Sequence, residues 1–152
     1  MEYNEFRQIL NESPELAGFD ETMASALFWH CQQETLPEGA VIYQEGAALD
    51  YTFGMVVCGD LIVEKGGSIL GGILERQIFG EMAYFTNERE RTATIRVGSP
   101  MAVILKFKLT EEELARPHFT ALRTTLELQT WNRFVNTSQS GREYPEITQQ
   151  WG

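Results

Sequence analysis

The residues best suited to binding chemistry lie in one short stretch, from Phe79 to Thr94. Gly80 permits a tight turn after a strand, and the residues from Glu81 to Phe85 can form one helical turn whose first N–H groups lack partners within the helix. Such a helix start favours a phosphate. Glu81 opposes an anion unless its carboxylate accepts bonds from hydroxyl groups. A sugar phosphate satisfies both requirements.

Arg91 adds a cation at the start of the strand that follows this turn. Its planar guanidinium can make paired hydrogen bonds to phosphate oxygens, which a lysine cannot reproduce. Arg89 is a competing cation two residues earlier. An ordinary ion pair between Glu81 and Arg91, in a fold that binds no ligand, is the alternative that stays open.

Two helices are predicted before this stretch, and the second continues towards Pro37 with Asp20 as its N-cap. The pattern from Gly39 to Phe107 then changes to short apolar or alternating runs separated by glycine turns, which predicts a mainly β roll or barrel over about residues 36–108. Helical spacing links the apolar residues Phe6, Ile9, Leu10, Met23, Leu27, Phe28 and Cys31. Alternation places Ile95, Val97, Val103, Leu105 and Phe107 inward and Thr94, Arg96, Lys106 and Lys108 outward.

The chain returns to helix at Thr110, which forms a capping-box pair with Glu113. Pro117 suits the first turn of a further helix that runs to about Val135. Residues 136–152 are mostly polar and are expected to form a loosely ordered tail.

The last predicted helix has two apolar faces, and each needs a cover. The β-roll covers one face, and a partner subunit, a bound base or the N-terminal helices cover the other. One face carries Phe119, Leu122, Leu126 and Phe134, and the opposite face carries Ala121, Leu128, Trp131 and Val135.

Composition excludes several classes of protein. A formal charge of −10 on 152 residues repels a nucleic acid backbone, so DNA binding is not expected. The longest apolar runs are too short to span a bilayer and the N-terminus lacks a secretory signal, which predicts a cytoplasmic protein. Two separated cysteines and two isolated histidines predict no metal site.

The run Phe79–Phe85 followed by Arg91–Thr94 resembles the phosphate-binding cassette of cyclic-nucleotide-binding domains. Further family marks are Pro37-Glu38-Gly39, Glu45-Gly46, Asp50 and Gly59. The resemblance covers roughly residues 23–135 and is similar to the sensor half of catabolite-activator regulators, without their DNA-binding half. It implies one domain over residues 1–135: an eight-stranded antiparallel β-roll or jelly roll with N-terminal helices, a short cassette helix and C-terminal helices.

The same resemblance assigns the site residues. Glu81 looks like the acceptor for the ribose 2′-hydroxyl, and Arg91 looks like the phosphate ligand. Backbone or hydroxyl contacts near the sugar phosphate are implied for the rest of the set, and Thr92 leaves both cAMP and cGMP open. The predicted ligand-binding residues are Phe79, Gly80, Glu81, Met82, Ala83, Arg91, Thr92 and Ala93. Leu128, Trp131 or Phe134 would form a lid over the base by analogy, although core packing of Trp131 is the simpler interpretation.

The predicted function is therefore a regulatory sensor of cAMP or cGMP that is not an enzyme and needs no cofactor. Ligand would order the cassette and move the C-terminal helices, which would signal to an unidentified effector protein. The alternative is a vestigial β-roll that serves protein–protein contact, including a possible homodimer through the C-terminal helix. A cupin-like enzyme would need a His and Glu cluster, which the sequence lacks. Arg76 stands where the family commonly has glycine.

Overall fold

The computed structural model describes the backbone of residues 1–140 and the side chains of residues 1–133. Four helices flank the strands: α1 Tyr3–Asn11, α2 Glu21–Trp29, α3 Glu111–Leu114 and α4 Thr120–Ser140. The strands are β1 Cys31–Pro37, β2 Val41–Tyr43, β3 Thr52–Cys58, β4 Leu61–Lys65, β5 Ser68–Ile73, β6 Ile78–Phe79, β7 Thr94–Val97 and β8 Met101–Lys108. Short 3-10 turns occupy Met82–Phe85, here called the cassette turn, and Pro117–Phe119.

The strands form two four-stranded antiparallel sheets, in the orders β1-β8-β3-β6 and β2-β7-β4-β5. This arrangement confirms the predicted eight-stranded antiparallel β-roll with flanking helices. Each sheet brings together strands that are distant in sequence, so the segments before and after the cassette meet in space.

Strand β8 is buried on both faces because it lies between the roll interior and the helices. Ala102 and Ile104 join the interior core between the sheets. Leu105 and Phe107 join the second core under the helices. The prediction that Lys106 faces outward is wrong: its side chain follows Ile104 on the inner face, and its Nζ lies 5.3 Å from the centre of the Tyr43 ring.

The N-terminal helices form as predicted, but the second ends earlier. Asp20 caps α2 by accepting a 2.8 Å bond from the Met23 N–H. The helix stops at Trp29, and Cys31–Pro37 pairs along its whole length with β8. The helical spacing from Leu27 to Cys31 suggested a longer helix, and hydrogen bonding to β8 overrides it.

The turn between β5 and β6 keeps a left-handed conformation at Arg76, whose φ is 72°. That conformation normally favours glycine. The backbone N–H of Arg76 donates to Val56 O at 2.7 Å, and its Nε donates to Glu12, the residue that follows α1, at 2.6 Å. These bonds hold Arg76 in a backbone conformation that residues other than glycine rarely adopt.

The capping box at Thr110 and Glu113 is present, with both reciprocal bonds at 3.0 Å. Helix α4 buries Leu122 and Leu126, as its first predicted face requires. It continues to Ser140 and not to about Val135, so the first part of the predicted tail is helical. The remainder of that tail, residues 141–152, lies outside the described residues. Within the part of the chain described, no helix has the length and hydropathy to cross a membrane.

Candidate functional site

The site is organised around Gly80, which joins β6 to the cassette turn with φ of 82°. A Cβ at this position would lie 2.6 Å from Cε2 of Tyr43, whose ring packs against the glycine. Both the conformation and the close approach therefore require glycine. Glu81 follows Gly80 directly in the chain, and Arg91 donates to the Gly80 carbonyl.

Arg91 is buried and is held mainly by backbone and hydroxyl oxygens. Its Nη1 donates to Gly80 O at 2.7 Å, and its Nη2 donates to Thr52 O at 2.8 Å and to Asp50 Oδ1 at 2.5 Å. The guanidinium carbon lies 3.5 Å from the centre of the Tyr43 ring. Nε makes no hydrogen bond to any residue in the described part of the chain.

A chain of hydroxyl groups supports this arginine. The Tyr43 hydroxyl and Thr52 Oγ1 are 2.7 Å apart, and Thr52 Oγ1 donates to Asp50 Oδ1 at 2.7 Å. Partial burial tends to raise the pKa of Asp50, but the bonds from Thr52 and Arg91 outweigh it and hold the pKa below its usual value. Asp50 therefore stays ionised beside Arg91 at neutral pH.

The space at the centre of the cassette is closed. The cavity enclosed by Tyr43, Gly80, Ala83, Arg91, Thr92, Ala93 and Ile95 has a volume of about 10 Å³. That volume is at the lower limit for one water molecule. A phosphate can enter only if the Tyr43 ring or the cassette turn moves.

Glu81 is fully buried and is paired with Arg133 from α4. The Nη1 of Arg133 donates to Glu81 Oε2, and its Nη2 donates to Ile78 O at 3.0 Å. Helix α4 is therefore bound to the cassette by an ion pair, and its member Arg133 was not among the predicted site residues. Arg133 follows Leu122 and Leu126 on the buried face of α4, and a cation in that pattern is the signal that could have identified it.

Two buried atoms of this pair, Glu81 Oε1 and Arg133 Nε, have no hydrogen-bond partner among the described residues, and neither has Thr130 Oγ1 elsewhere on α4. Burial raises the pKa of Glu81, and the bond from Arg133 offsets only part of that effect. Buried polar groups without partners are rare in folded proteins, so a further hydrogen-bonding group beside these atoms would be stabilising. Glu81 Oε1 is an acceptor that a hydroxyl group would satisfy.

A groove of about 340 Å³ adjoins the Glu81–Arg133 pair, between β5 and α4. Gly72, Ile73 and Leu74 line one side, and Gln129 and Arg133 line the other. Glu15 and Gln77 also line it, so its wall combines two apolar side chains with amide groups and charges of both signs.

The predicted ligand-binding residues do come together. Gly80 and Arg91 are hydrogen-bonded, and Phe79, Glu81, Met82, Ala83 and Ala93 are buried around them, with Thr92 partly exposed. Arg89 lies instead on the surface, where it pairs with Glu111 at 2.6 Å. The tyrosine that fills the site, Tyr43, was not predicted, because nothing local marks it.

The predicted lid residues do not cover the site in this arrangement. The Leu128 residue is 56% exposed and the Trp131 residue 64% exposed, so the interpretation of Trp131 as a core residue is wrong. Thr130 and Arg133 occupy the inward face of α4 in their place. The side chain of Phe134 lies outside the described side chains. A lid role for these residues stays a prediction.

No group of histidine, cysteine and carboxylate side chains within residues 1–133 is arranged to hold a metal ion. A family model described as the cyclic nucleotide-binding domain matches residues 33–111, just over half of the chain. No curated protein sequence matches the chain significantly.

Solved structures share the fold at low sequence identity. The cAMP-bound PfPKA-R has a TM-score of 0.76 and 18% identity, over 92% of this chain and 46% of its own, so this chain spans about half of that protein. PKAR CBD2 bound to Sp-2Cl-cAMPS has a TM-score of 0.73 and 18% identity, over 97% and 99% of the two chains. The sensor domain of the transcriptional regulator DNR from Pseudomonas aeruginosa has a TM-score of 0.65 and 20% identity, over 85% and 96%.

Proposed function

The chain belongs to the cyclic nucleotide-binding domain family, as its cassette residues predict, and from that premise we propose that it is a regulatory sensor of cAMP or cGMP. The observation that carries the proposal is the unpartnered Oε1 of Glu81, a fully buried acceptor beside the cassette. A ribose 2′-hydroxyl would donate to it and remove the cost of leaving it unpaired.

Arg91 supplies the charge that a cyclic phosphate needs. Asp50 and Thr52 hold one edge of the guanidinium, while Nε makes no bond within the described residues. The phosphate would approach this free N–H after the Tyr43 ring has moved off the guanidinium. Binding is thus coupled to a rearrangement of the cassette.

The groove between β5 and α4 provides a place for the base. It begins at Arg133, which already touches Glu81, and it continues along Gly72–Leu74. A base in this groove would contact α4 directly. The Thr92 hydroxyl is compatible with either purine, so titration with both nucleotides is needed to distinguish cAMP from cGMP.

Movement of α4 would be the readout. Arg133 fastens the helix to Glu81, and a ribose bound to the same carboxylate would change that contact. Ligand shifts the equilibrium only by its differential affinity for the two positions of the helix. We expect the signal to reach an effector protein in the cytoplasm and not DNA, since the chain carries a charge of −10.

A second candidate function is a closed β-roll that no longer binds nucleotide and serves protein contact. The cavity of about 10 Å³ at Arg91 favours it, as do the exposed apolar residues Leu128 and Trp131. The structural relatives share only the fold at this identity, so they do not decide between the two candidates.

Isothermal titration with cAMP and with cGMP separates them. We expect saturable binding at micromolar or lower Kd, abolished by Arg91→Lys, which keeps the charge but loses the planar fork. Arg89→Lys is the matched control and should bind normally. Glu81→Gln should weaken binding of the nucleotide by about tenfold and should hardly affect the 2′-deoxy analogue. No heat with either nucleotide, in protein stripped of ligand by refolding, would favour the closed module.

A further inference from the structure

Three polar side chains in the groove between β5 and α4 have no role in the proposed function. They are Glu15, Gln77 and Gln129, and they line the groove together with Arg133. Glu15 lies between α1 and α2, Gln77 lies just before β6, and Gln129 lies on α4, so three separate segments bring them to one place. The volume of about 340 Å³ is within the range of sites that bind small ligands.

Two residues of the groove carry hydrogen-bond donors that have no partner. The Gln77 Oε1 accepts from the Leu74 N–H at 2.8 Å, which fixes the orientation of the amide. Its Nε2 makes no hydrogen bond to any residue in 1–133. The Nε of Arg133 is buried and is also unpartnered in this part of the chain. A ligand with two acceptor atoms along one edge would complement these donors.

Glu15 supplies an acceptor to the same groove. Its Oε2 accepts from the Ser13 hydroxyl at 3.2 Å, and Arg133, the cation that lines the groove, is paired with Glu81 instead. Burial is the main reason why the pKa of Glu81 is raised, and the charge of Glu15 adds to it, so the two carboxylates are close enough to interact. A carboxylate is an acceptor only, and two adjacent N–H groups on a ligand would satisfy it best.

The rest of the wall can accept the face of a flat ring. The Leu74 residue is 60% exposed, which leaves an apolar surface for a ring to cover. Gly72 adds no side chain over the backbone of β5, and a glycine inside a strand often marks a close approach by another group. The groove therefore combines an apolar surface with donors and an acceptor.

Guanine matches these groups better than adenine does. Guanine presents two acceptors, N7 and O6, and beside them two donors, N1–H and the N2 amino group. The acceptors suit Gln77 and Arg133, and the donors suit Glu15. The ring nitrogens of adenine that face its edges are all acceptors, so a carboxylate beside N1 would be repelled and only the N6 amino group could donate to it.

We propose that this groove selects a guanine base, so that cGMP is the ligand of the sensor and Glu15 is the residue that determines the choice. The inference rests on the proposed function, because the base enters the groove while the sugar phosphate is held at Glu81 and Arg91. Gln77 and Arg133 bind the acceptor edge of the base. Since Arg133 also pairs with Glu81, recognition of the base acts on the same contact that holds α4.

Isothermal titration of the full chain with cGMP, cAMP and the inosine nucleotide cIMP tests this assignment. The inosine base keeps N7, O6 and N1–H but lacks the N2 amino group. We expect cGMP to bind about tenfold or more tightly than cAMP, with cIMP between them. Glu15→Gln should weaken cGMP binding by about tenfold and leave cAMP nearly unchanged, because an amide accepts from one N–H and presents a donor to the other.

Glu5→Gln is the matched control, since Glu5 is exposed on α1 and does not line the groove. It should keep the preference for cGMP. The guanine assignment is overturned, and the sensor function stands, if cAMP binds as tightly as cGMP, if cIMP equals cGMP, or if Glu15→Gln and Glu5→Gln have the same ratio of the two Kd values. If no nucleotide binds to chain that circular dichroism shows to be folded, the proposed function fails and the guanine assignment fails with it.

Discussion

Two buried arginines contact the cassette segment, and each is paired with a carboxylate in a different way. Arg91 meets Asp50, whose side chain is 55% exposed, and fills its remaining contacts with carbonyl and hydroxyl oxygens. Arg133 meets Glu81, which is fully buried, and the pair leaves one oxygen and one nitrogen without partners. The first pair is nearly saturated with hydrogen bonds and the second is not.

This difference in hydrogen bonding suggests different roles: the Arg91–Asp50 pair supports the fold, and the Arg133–Glu81 pair is the contact that a ligand can change. Asp50 remains partly in contact with water, and although its partial burial tends to raise its pKa, the bonds from Thr52 and Arg91 outweigh that effect and lower it. Glu81 has lost its water, and burial raises its pKa despite the nearby cation. A site with an unfilled acceptor gains most from a ligand or water that fills it. We therefore propose that a bound ligand changes the α4 side of the cassette as well as the Tyr43 contact on the Arg91 side.

Removing the cation beside Glu81 should have the largest effect on stability. Arg133→Met leaves a carboxylate fully buried without its partner, so unfolding free energy should fall by about 3–5 kcal/mol. Urea unfolding followed by circular dichroism measures this. The double variant Glu81→Met with Arg133→Met removes both charges and should recover most of the loss. If the double variant is as unstable as Arg133→Met, the buried carboxylate is not the cause.

Removing Arg91 should destabilise less, although Arg91 makes more hydrogen bonds. In Arg91→Met the exposed side of Asp50 can regain water, and the main loss is of bonds to the Gly80 and Thr52 carbonyls, so we expect about 1–3 kcal/mol. Urea unfolding of Arg91→Met and Arg133→Met, measured side by side, shows which variant loses more unfolding free energy. A larger loss for Arg91→Met would mean that the Asp50 pair carries more of the fold than its exposure indicates.

The opposite pKa shifts predict opposite responses to pH. The pKa of Glu81 is raised from 4.5, so the folded state holds its proton longer, and stability should fall as pH rises above that value. The pKa of Asp50 is lowered from 3.8, so its contribution is present above that pH and is lost as pH falls below it.

Glu81→Gln and Asp50→Asn isolate these two contributions. The stability of Glu81→Gln relative to the native chain should increase as pH rises from about 4 towards neutrality. That of Asp50→Asn should decrease as pH rises from about 2 to 4. Thermal unfolding over this pH range checks both slopes. If the relative stabilities of the two variants changed with pH in the same direction, the predicted opposite pKa shifts of Glu81 and Asp50 would be wrong.

The sequence predicts the half of the site that is contiguous. Gly80, Glu81 and Arg91 lie within twelve positions in a pattern of turn, short helix and strand, and Arg91 donates to Gly80 O across that short separation. Arg133 is separated from Glu81 by 52 positions, and its role depends on how α4 packs. Tyr43 enters the site only because β2 pairs with β7, which periodicity does not reveal.

Most of the strands after β1 were predictable because glycine turns and alternating residues mark them, as in β7 with Ile95 and Val97 buried, while the number eight came from the family resemblance. Strand β1 was not. Its residues from Gln32 to Thr35 are polar and mostly exposed, so no apolar alternation distinguishes it from a surface helix. An edge strand of this kind is specified by its partner β8, and tertiary pairing is the information that a local pattern lacks.

The exposed face of α4 should contribute least to the stability of the single chain. Trp131→Ala should change the unfolding free energy by no more than about 0.5 kcal/mol, because most of the ring is exposed to solvent. Leu126→Ala, on the buried face of the same helix, is the matched control and should lose about 2–5 kcal/mol. Measured in urea at several protein concentrations, the pair also tests the predicted homodimer. A loss at Trp131 that grows with protein concentration would show that a second subunit covers this face, whereas a small, constant value would show that none does.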